Sequence, residues 1–311
     1  MGFGFLFPGQ GSQQPGMGKD FLERHALARQ LFDEANAALG FDLKRLCLEG
    51  PEDRLALTSH AQPAILTVST IAYRLFAERA ALQPLSLAGH SLGEYSALVA
   101  TGALPFAEAV RAVHLRGKAM QEATPVGLGA MAAILGMDGP ELEKICAEES
   151  RGQVVVPANY NCAGQIVISG HAEAVNRVLA RAKGKLLAVS APFHSPLMAP
   201  AAQAMRPVLE KLPFAGSAAP ICANASNRFL SRAAEFPPSL LDQITAPVRW
   251  DTGVQAMIRA GVTAVIEFGH GKVLSGLMKR IDKSASTANV QDDASLGSAL
   301  AQAGHSGHSG H

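Results

Sequence analysis

The chain has 311 residues, of which 48% are hydrophobic and 17% charged: ample apolar material for a packed core, and the wrong balance for a disordered chain. Lysine and arginine number 27 against 26 aspartates and glutamates, and the net charge of +1 gives no general attraction to nucleic acid or an anionic membrane. The 4 cysteines (Cys47, Cys146, Cys162 and Cys222) form no C-x-x-C pair, which argues against a disulfide framework or zinc site and for a reducing, cytoplasmic setting.

Phe3 to Phe7 reads as a short buried strand without a basic leader, ended by the turn Pro8-Gly9-Gln10-Gly11-Ser12, so no signal peptide is expected. Helical patterns follow over 18–39 and 62–81, the second with Pro63 near its first turn. Leu85 to Ala88 is a second short strand running into Gly89-His90-Ser91-Leu92-Gly93, and Glu94 to Ala100 is helical. Strand, tight turn and helix in this order point to a parallel α/β sheet. Pro105 then opens a helix in which Phe106, Ala109, Val110, Val113 and Met120 form one buried stripe.

Near Gly127 the character changes. Strands are expected at 131–135, 154–159, 165–169 and 185–190, with helices at 139–149 and 172–182. This βαββαβ order is the ferredoxin-like pattern and implies a small domain of residues 126–197 inserted into a large one of residues 1–125 and 198–303. Helices at 200–211, 250–260 and 271–281 and strands at 220–224 and 264–268 would complete the first sheet. Uncharged stretches at 152–172 and 186–205 are broken by prolines and asparagines, so no membrane span is expected. Gly304 to His311 reads as a low-complexity, disordered tail without a metal role.

Gly89-His90-Ser91-Leu92-Gly93 matches G-x-S-x-G, where two glycines let strand and helix approach around a strained turn that exposes the serine hydroxyl. The same five residues also describe an ordinary turn, and it is the flanking strand and helix that favour a nucleophile. Such a serine needs a base, and histidine has the suitable pKa. His194 is the candidate, in Ala191-Pro192-Phe193-His194-Ser195-Pro196, where two prolines could stiffen the loop; the plainer reading is a partly exposed loop histidine. His90 adjoins Ser91, but neighbours at such a turn point differently. The only aspartate between Ser91 and His194 is Asp138, placed to cap the helix at 139–149, so no aspartate stands out to orient the histidine, although glutamates remain. Gly127 to Ala132 fits G-x-G-x-x-A but precedes a strand, and Gln13 stands where a phosphate loop ending at Gly18-Lys19 would need glycine.

A set of segments in fixed order spans nearly the whole chain: Phe7 to Gln13, Gly89 to Tyr95, Arg116-Gly117, Asn159-Tyr160-Asn161, Pro192 to Ser195, Gln243 with Pro247-Val248, and Gly269 to Leu274. In these the chain resembles the bacterial malonyl-CoA:acyl carrier protein transacylases of fatty acid synthesis and, more distantly, the acyltransferase domains of polyketide synthases. The resemblance implies a large parallel-sheet, α/β-hydrolase-like domain with an inserted ferredoxin-like one. It makes Ser91 the nucleophile and His194 the general base and acid, oriented by the main-chain carbonyl of Gln243. The N–H groups of Gln10 and Leu92 would form the oxyanion hole, with His90, Asn159 and Asn161 in support. His270 stands where the family often has proline.

The family's substrate selector maps onto Arg116. At about 100° per residue it lies at the edge of the apolar stripe, near Ala109, from where it could reach inward. A guanidinium grips a free carboxylate through two parallel hydrogen bonds; the plainer reading is a surface or interface ion pair. No metal or permanent cofactor is implied, since coenzyme A and phosphopantetheine arrive as carriers. The expected partners are malonyl-CoA and acyl carrier protein, with no nucleic acid and no membrane, for a monomeric cytoplasmic enzyme.

Overall fold

A computed structural model describes residues 2–189 and 191–305. Ser190, expected to end the sixth strand, and the tail beyond His305 lie outside the described residues. Strand β1 (Phe3–Phe7) is buried throughout, as an unbroken apolar run predicts for a central parallel strand. Helices α1 (Lys19–Arg24), α2 (Ala26–Leu39), α3 (Leu43–Glu49), α4 (Glu52–Ala56) and α5 (Thr58–Ala77) separate it from β2 (Ser86–Gly89), which leads into α6 (Gly93–Ala100) and α7 (Phe106–Glu122). Next come β3 (Gly129–Leu135), α8 (Gly139–Ser150), β4 (Val155–Cys162), β5 (Gln165–His171), α9 (Ala172–Leu179) and β6 (Gly184–Leu186). The chain ends with α10 (Ala199–Leu209), β7 (Ile221–Cys222), β8 (Phe229–Leu230), α11 (Phe236–Thr245), α12 (Trp250–Arg259), β9 (Ala264–Phe268), α13 (Val273–Ile281), β10 (Ser286–Val290) and α14 (Asp293–His305).

Six strands form one sheet in the order β10-β9-β1-β2-β7-β8, parallel except for the β7–β8 pair. A second, antiparallel sheet of four has the order β4-β5-β3-β6, the arrangement that βαββαβ produces in a ferredoxin-like unit. Its two faces follow the period-2 rule: Ala132 and Ile134 of β3 pack with Leu142 of α8 and Val175 and Val178 of α9, whereas Met131 joins the main core. The four-stranded sheet is stitched at Val248 to the connection between α11 and α12. Val248 N–H donates to the Ala158 carbonyl at 2.8 Å, and its own carbonyl accepts from Tyr160 N–H at 2.9 Å.

Several boundaries differ from the sequence reading. The pattern over 18–39 is two helices, split at His25, whose backbone is extended (φ −123°, ψ 127°) and whose ring bonds Asp293 of α14 at 2.8 Å. Helix α5 starts at Thr58, so Pro63 lies inside it. Proline supplies no N–H to the carbonyl four residues back, and that group, Ser59 C=O, instead accepts from His114 Nδ1 of α7 at 2.8 Å. Strand β6 stops at Leu186; Leu187 N–H still donates to the Met131 carbonyl at 2.9 Å, and Leu187 to Val189 line a cavity. Gly304 and His305 close α14 instead of opening a tail.

Candidate active site

Parallel pairing of Phe7 with Gly89 brings the loops after β1 and β2 out side by side, at the carboxyl edge where parallel sheets build sites. The second turn tolerates no side chain at its glycines. A Cβ on Gly89 would lie 1.8 Å from the Gly93 carbonyl carbon, and one on Gly93 would lie 2.2 Å from the Phe7 oxygen. Between them Ser91 adopts φ 52°, a left-handed conformation that costs a non-glycine residue of order 1 kcal/mol or more. Asn224, just after β7, holds it there: its Oδ1 accepts from Ser91 N–H at 2.7 Å, and its Nδ2 donates to the Gly89 carbonyl at 2.7 Å.

His194 also has a left-handed backbone, φ 54°. The loop is braced where Ser195 Oγ donates to the Pro192 carbonyl at 2.7 Å. The imidazole Nδ1 lies 2.9 Å from the main-chain oxygen of Gln243, which can only accept, so Nδ1 carries the proton. Nε2 is thereby left with a lone pair, 2.8 Å from Ser91 Oγ. Burial, and then the positive charge of Arg116, push this histidine down to about 3 against the backbone hydrogen bond that favours its charged form. At neutral pH it is an uncharged acceptor for the serine proton.

Arg116 is 1% exposed, which settles the choice left by helix phase in favour of an inward arginine. Its Nη1 donates to Gln62 Oε1 at 2.9 Å, and its Nη2 donates to Ser91 Oγ at 3.0 Å and Gln243 Oε1 at 2.8 Å. The guanidinium also lies 5.8 Å from the Tyr95 ring centre. Gly117 makes this reach possible: a Cβ there would sit 2.5 Å from the Thr58 carbonyl oxygen, so only glycine lets α7 approach α5 so closely. Among the described residues no carboxylate pairs with Arg116 directly.

Glu94 is the buried acid of this neighbourhood, at 3% exposure. Its Oε1 accepts from Asn224 N–H at 3.0 Å and its Oε2 from Gln243 Nε2. Burial pushes the carboxyl up to about 8, opposed by the Asn224 N–H and by Arg116. The same Gln243 Nε2 donates to the Ser91 carbonyl at 3.0 Å.

Gln10, Ser91, Leu92, Arg116, Asn159 and His194 all line one cavity of about 490 Å³. Among the described residues neither the Gln10 nor the Leu92 N–H is taken by a hydrogen bond. His90 Nε2 pairs with Asn161 Oδ1 at 3.0 Å, tying the elbow to β4. Asp138 accepts from Glu141 N–H at 2.9 Å as the cap of α8, remote from this chemistry. Sequence reasoning gave no role to Gln62, Glu94, Asn224 or the side chain of Gln243. Only Glu94 left a signal, as the single charge in the apolar helix Gly93–Ala100. A hydroxyl bonded to a neutral imidazole, with free N–H groups alongside and a buried cation on the same oxygen, can attack an activated acyl group that carries a negative charge.

Residues 4–303 match the family model described as the acyl transferase domain. The chain is 43% identical over 306 residues to the malonyl CoA-acyl carrier protein transacylase of Salmonella typhimurium, covering 96% of this chain and 99% of that one. It is 46% identical over 295 residues to the Bacillus subtilis protein of the same name, covering 93% of each. Among solved structures, the malonyl CoA-acyl carrier protein transacylase of Coxiella burnetii superposes with a TM-score of 0.95 at 39% identity, covering 97% and 98% of the two chains. A malonyl-transacylase solved in complex with its type II PKS acyl-carrier protein superposes with 0.94 at 43% identity, covering 97% and 100%.

Proposed function

This chain belongs to the acyl transferase family, and from that premise we propose that it transfers the malonyl group of malonyl-CoA to the phosphopantetheine thiol of an acyl carrier protein through a malonyl ester of Ser91. The observation that carries this reading is the Arg116 guanidinium, buried in the cavity and 3.0 Å from Ser91 Oγ. A hydrolase of neutral esters has no use for a cation there. A malonyl thioester places a carboxylate two carbons from its reacting carbonyl, and Arg116 is the group to receive it.

In the proposed reaction Ser91 Oγ attacks the thioester carbonyl carbon while its proton passes to His194 Nε2. The developing oxyanion accepts from the N–H groups of Leu92 and Gln10. Collapse breaks the C–S bond, and His194 returns the proton to the departing coenzyme A sulfur. The carrier thiol then gives its proton to His194 and attacks the ester, and the proton passes back to the Ser91 oxygen as it leaves, restoring the hydroxyl. The Gln243 carbonyl holds His194 throughout, in the place a carboxylate takes in other serine enzymes. Coenzyme A and phosphopantetheine enter only as carriers of the acyl group.

Residues 1–125 with 198–303 and residues 126–197 are taken as the two domains, with the substrate between them; Ser91 and Arg116 line the cavity from one side of that division, Met131 and Asn159 from the other. The enzyme is proposed to act as a monomer. No helix among the described residues is long and apolar enough to cross a membrane. The proposed setting is the cytoplasm, where the product would serve as extender unit for fatty acid or polyketide synthesis.

Brief exposure to malonyl-CoA, followed by intact-mass measurement and peptide mapping, should place a malonyl adduct on Ser91. Addition of a holo carrier protein should move it to the phosphopantetheine thiol. Failure to form the adduct overturns the reading, and equal release of free malonate with and without carrier would mark a hydrolase instead.

A further inference from the structure

We propose that Glu94 is a positioning residue for substrate discrimination: by accepting from the Gln243 side-chain amide, it sets that amide in the one orientation that aims its oxygen at Arg116. This rests on the reading of Arg116 as the partner of the substrate carboxylate.

The argument is one of donors and acceptors. A glutamine amide presents an acceptor at one end and donors at the other, and the two can exchange by a half-turn. Arg116 is donor-only, so its Nη2 can be held by Gln243 only when Oε1 faces it, as it does at 2.8 Å. Nε2 must then find acceptors on the far side. Two are present, the Ser91 carbonyl at 3.0 Å and Glu94 Oε2. A flipped amide would aim N–H groups at the guanidinium and its oxygen at the Ser91 carbonyl and Glu94, repulsive at Arg116 and Ser91 in either charge state of Glu94, and at Glu94 as well once the carboxyl ionises. Glu94 is fixed in turn by the Asn224 N–H on its other oxygen at 3.0 Å. The chain of control therefore runs from Asn224 to Glu94, from Glu94 to the Gln243 amide, and from that amide to Arg116.

The placement also leaves the guanidinium without a charged partner among the described residues, and its Nε unpaired. A carboxylate bonded directly to Arg116 would occupy the groups needed for the substrate. With a neutral amide interposed, the acid stands one residue back, and the cation keeps its affinity for an incoming carboxylate.

Glu94→Gln is nearly isosteric but cannot accept at both ends, because its own NH2 must face either Asn224 N–H or the Gln243 amide. Acylation of Ser91 by malonyl-CoA and by acetyl-CoA is to be compared in the wild type, Glu94→Gln, Arg116→Ala and the double variant, with circular dichroism as the check on folding. The expected result is a fall of about tenfold or more in malonyl-over-acetyl preference for Glu94→Gln, carried mainly by KM for malonyl-CoA. In the Arg116→Ala background the same substitution should leave the preference unmoved. Equal losses for both thioesters would reduce Glu94 to a support of the elbow and overturn the proposal, as would an undiminished effect in the double variant. Should Arg116→Ala itself leave the preference unaltered, the reading of Arg116 fails first, and this proposal with it. If Glu94→Gln does not fold, Gln243→Met, which keeps the main-chain carbonyl for His194, decides: a reduced preference supports the relay and an unchanged one overturns it.

Discussion

The Arg116 guanidinium donates to the Ser91 hydroxyl oxygen at 3.0 Å, and that same oxygen is 2.8 Å from His194 Nε2. The serine is thus held between a cation and a base before any substrate arrives. Removing the cation should separate the two thioesters. In Arg116→Ala, malonyl transfer is expected to fall about a hundredfold or more, since two charge-assisted hydrogen bonds of about 1.5–3 kcal/mol each are lost. Acetyl transfer should hold or rise, because a neutral acyl group no longer meets a buried cation left without its partner. Competition between malonyl-CoA and acetyl-CoA for Ser91 measures this, and an unchanged ratio removes Arg116 from the selector role.

The state of His194 predicts an unusual pH profile. Burial and the Arg116 charge hold its folded pKa near 3, against an ordinary value of 6.5. Labelling of Ser91 by a neutral fluorophosphonate, which has no titrating carboxylate of its own, should therefore stay level as pH falls from 8 to about 5. An inflection near 6.5 would contradict the buried neutral imidazole. For stability the sign is that of a depressed pKa: the unfolded histidine takes up a proton near 6.5 and the folded one does not, so this contribution is complete above 6.5 and is lost as pH falls towards 3. Arg116→Ala should move the acid limb upward, because the largest cause of the depression after burial is gone.

The elbow glycines should resist even the smallest side chain. Gly89→Ala places a methyl group 1.8 Å from a backbone carbon, and Gly93→Ala places one 2.2 Å from a backbone oxygen. Neither obstacle is a flexible side chain that can turn aside. Each variant is expected to lose about 4 kcal/mol or more in denaturant unfolding, or to fail to accumulate as folded protein. A loss within about 1 kcal/mol would mean that the turn is more pliable than its geometry implies.

Asn224→Ala tests the clamp on the serine. It strands two buried groups, the Ser91 N–H and the Gly89 carbonyl, each costing about 1–3 kcal/mol when unsatisfied. Stability should fall by about 2–4 kcal/mol, and acylation of Ser91 should slow even in the fraction that remains folded. Thermal unfolding and single-turnover acylation on the same sample separate these effects.

Residues whose chemistry depends on local chain geometry were legible in the sequence. Gly89, Ser91 and Gly93 announce a strained turn, and the prolines around His194 announce a fixed loop. Residues that act through distant partners were not. Glu94 and Asn224 meet across 130 positions, and Ser91 and Gln243 across 152, with no local pattern to record it. Element boundaries failed for a related reason. Ser286–Val290 has only one fully buried residue and becomes a strand by pairing with β9, while helix α5 runs through Pro63 because α7 fills the hydrogen-bonding gap. The ferredoxin-like order was readable because β3, β4 and β5 carry apolar residues of their own, and because the run Leu186 to Val189 marks the end of the short, exposed β6.

In the proposed reaction, the stitch at Val248 bears on how a long, flexible thiol arm would reach the serine. The peptide run that ties the antiparallel sheet down at Ala158 and Tyr160 begins only five residues beyond the carbonyl that steadies His194. Prising the halves apart there would tug on the imidazole's own anchor and blunt the catalyst at the moment of loading. Traffic is therefore better served by a standing slot, threaded lengthwise by one pantetheine at a time, than by jaws that gape and snap shut.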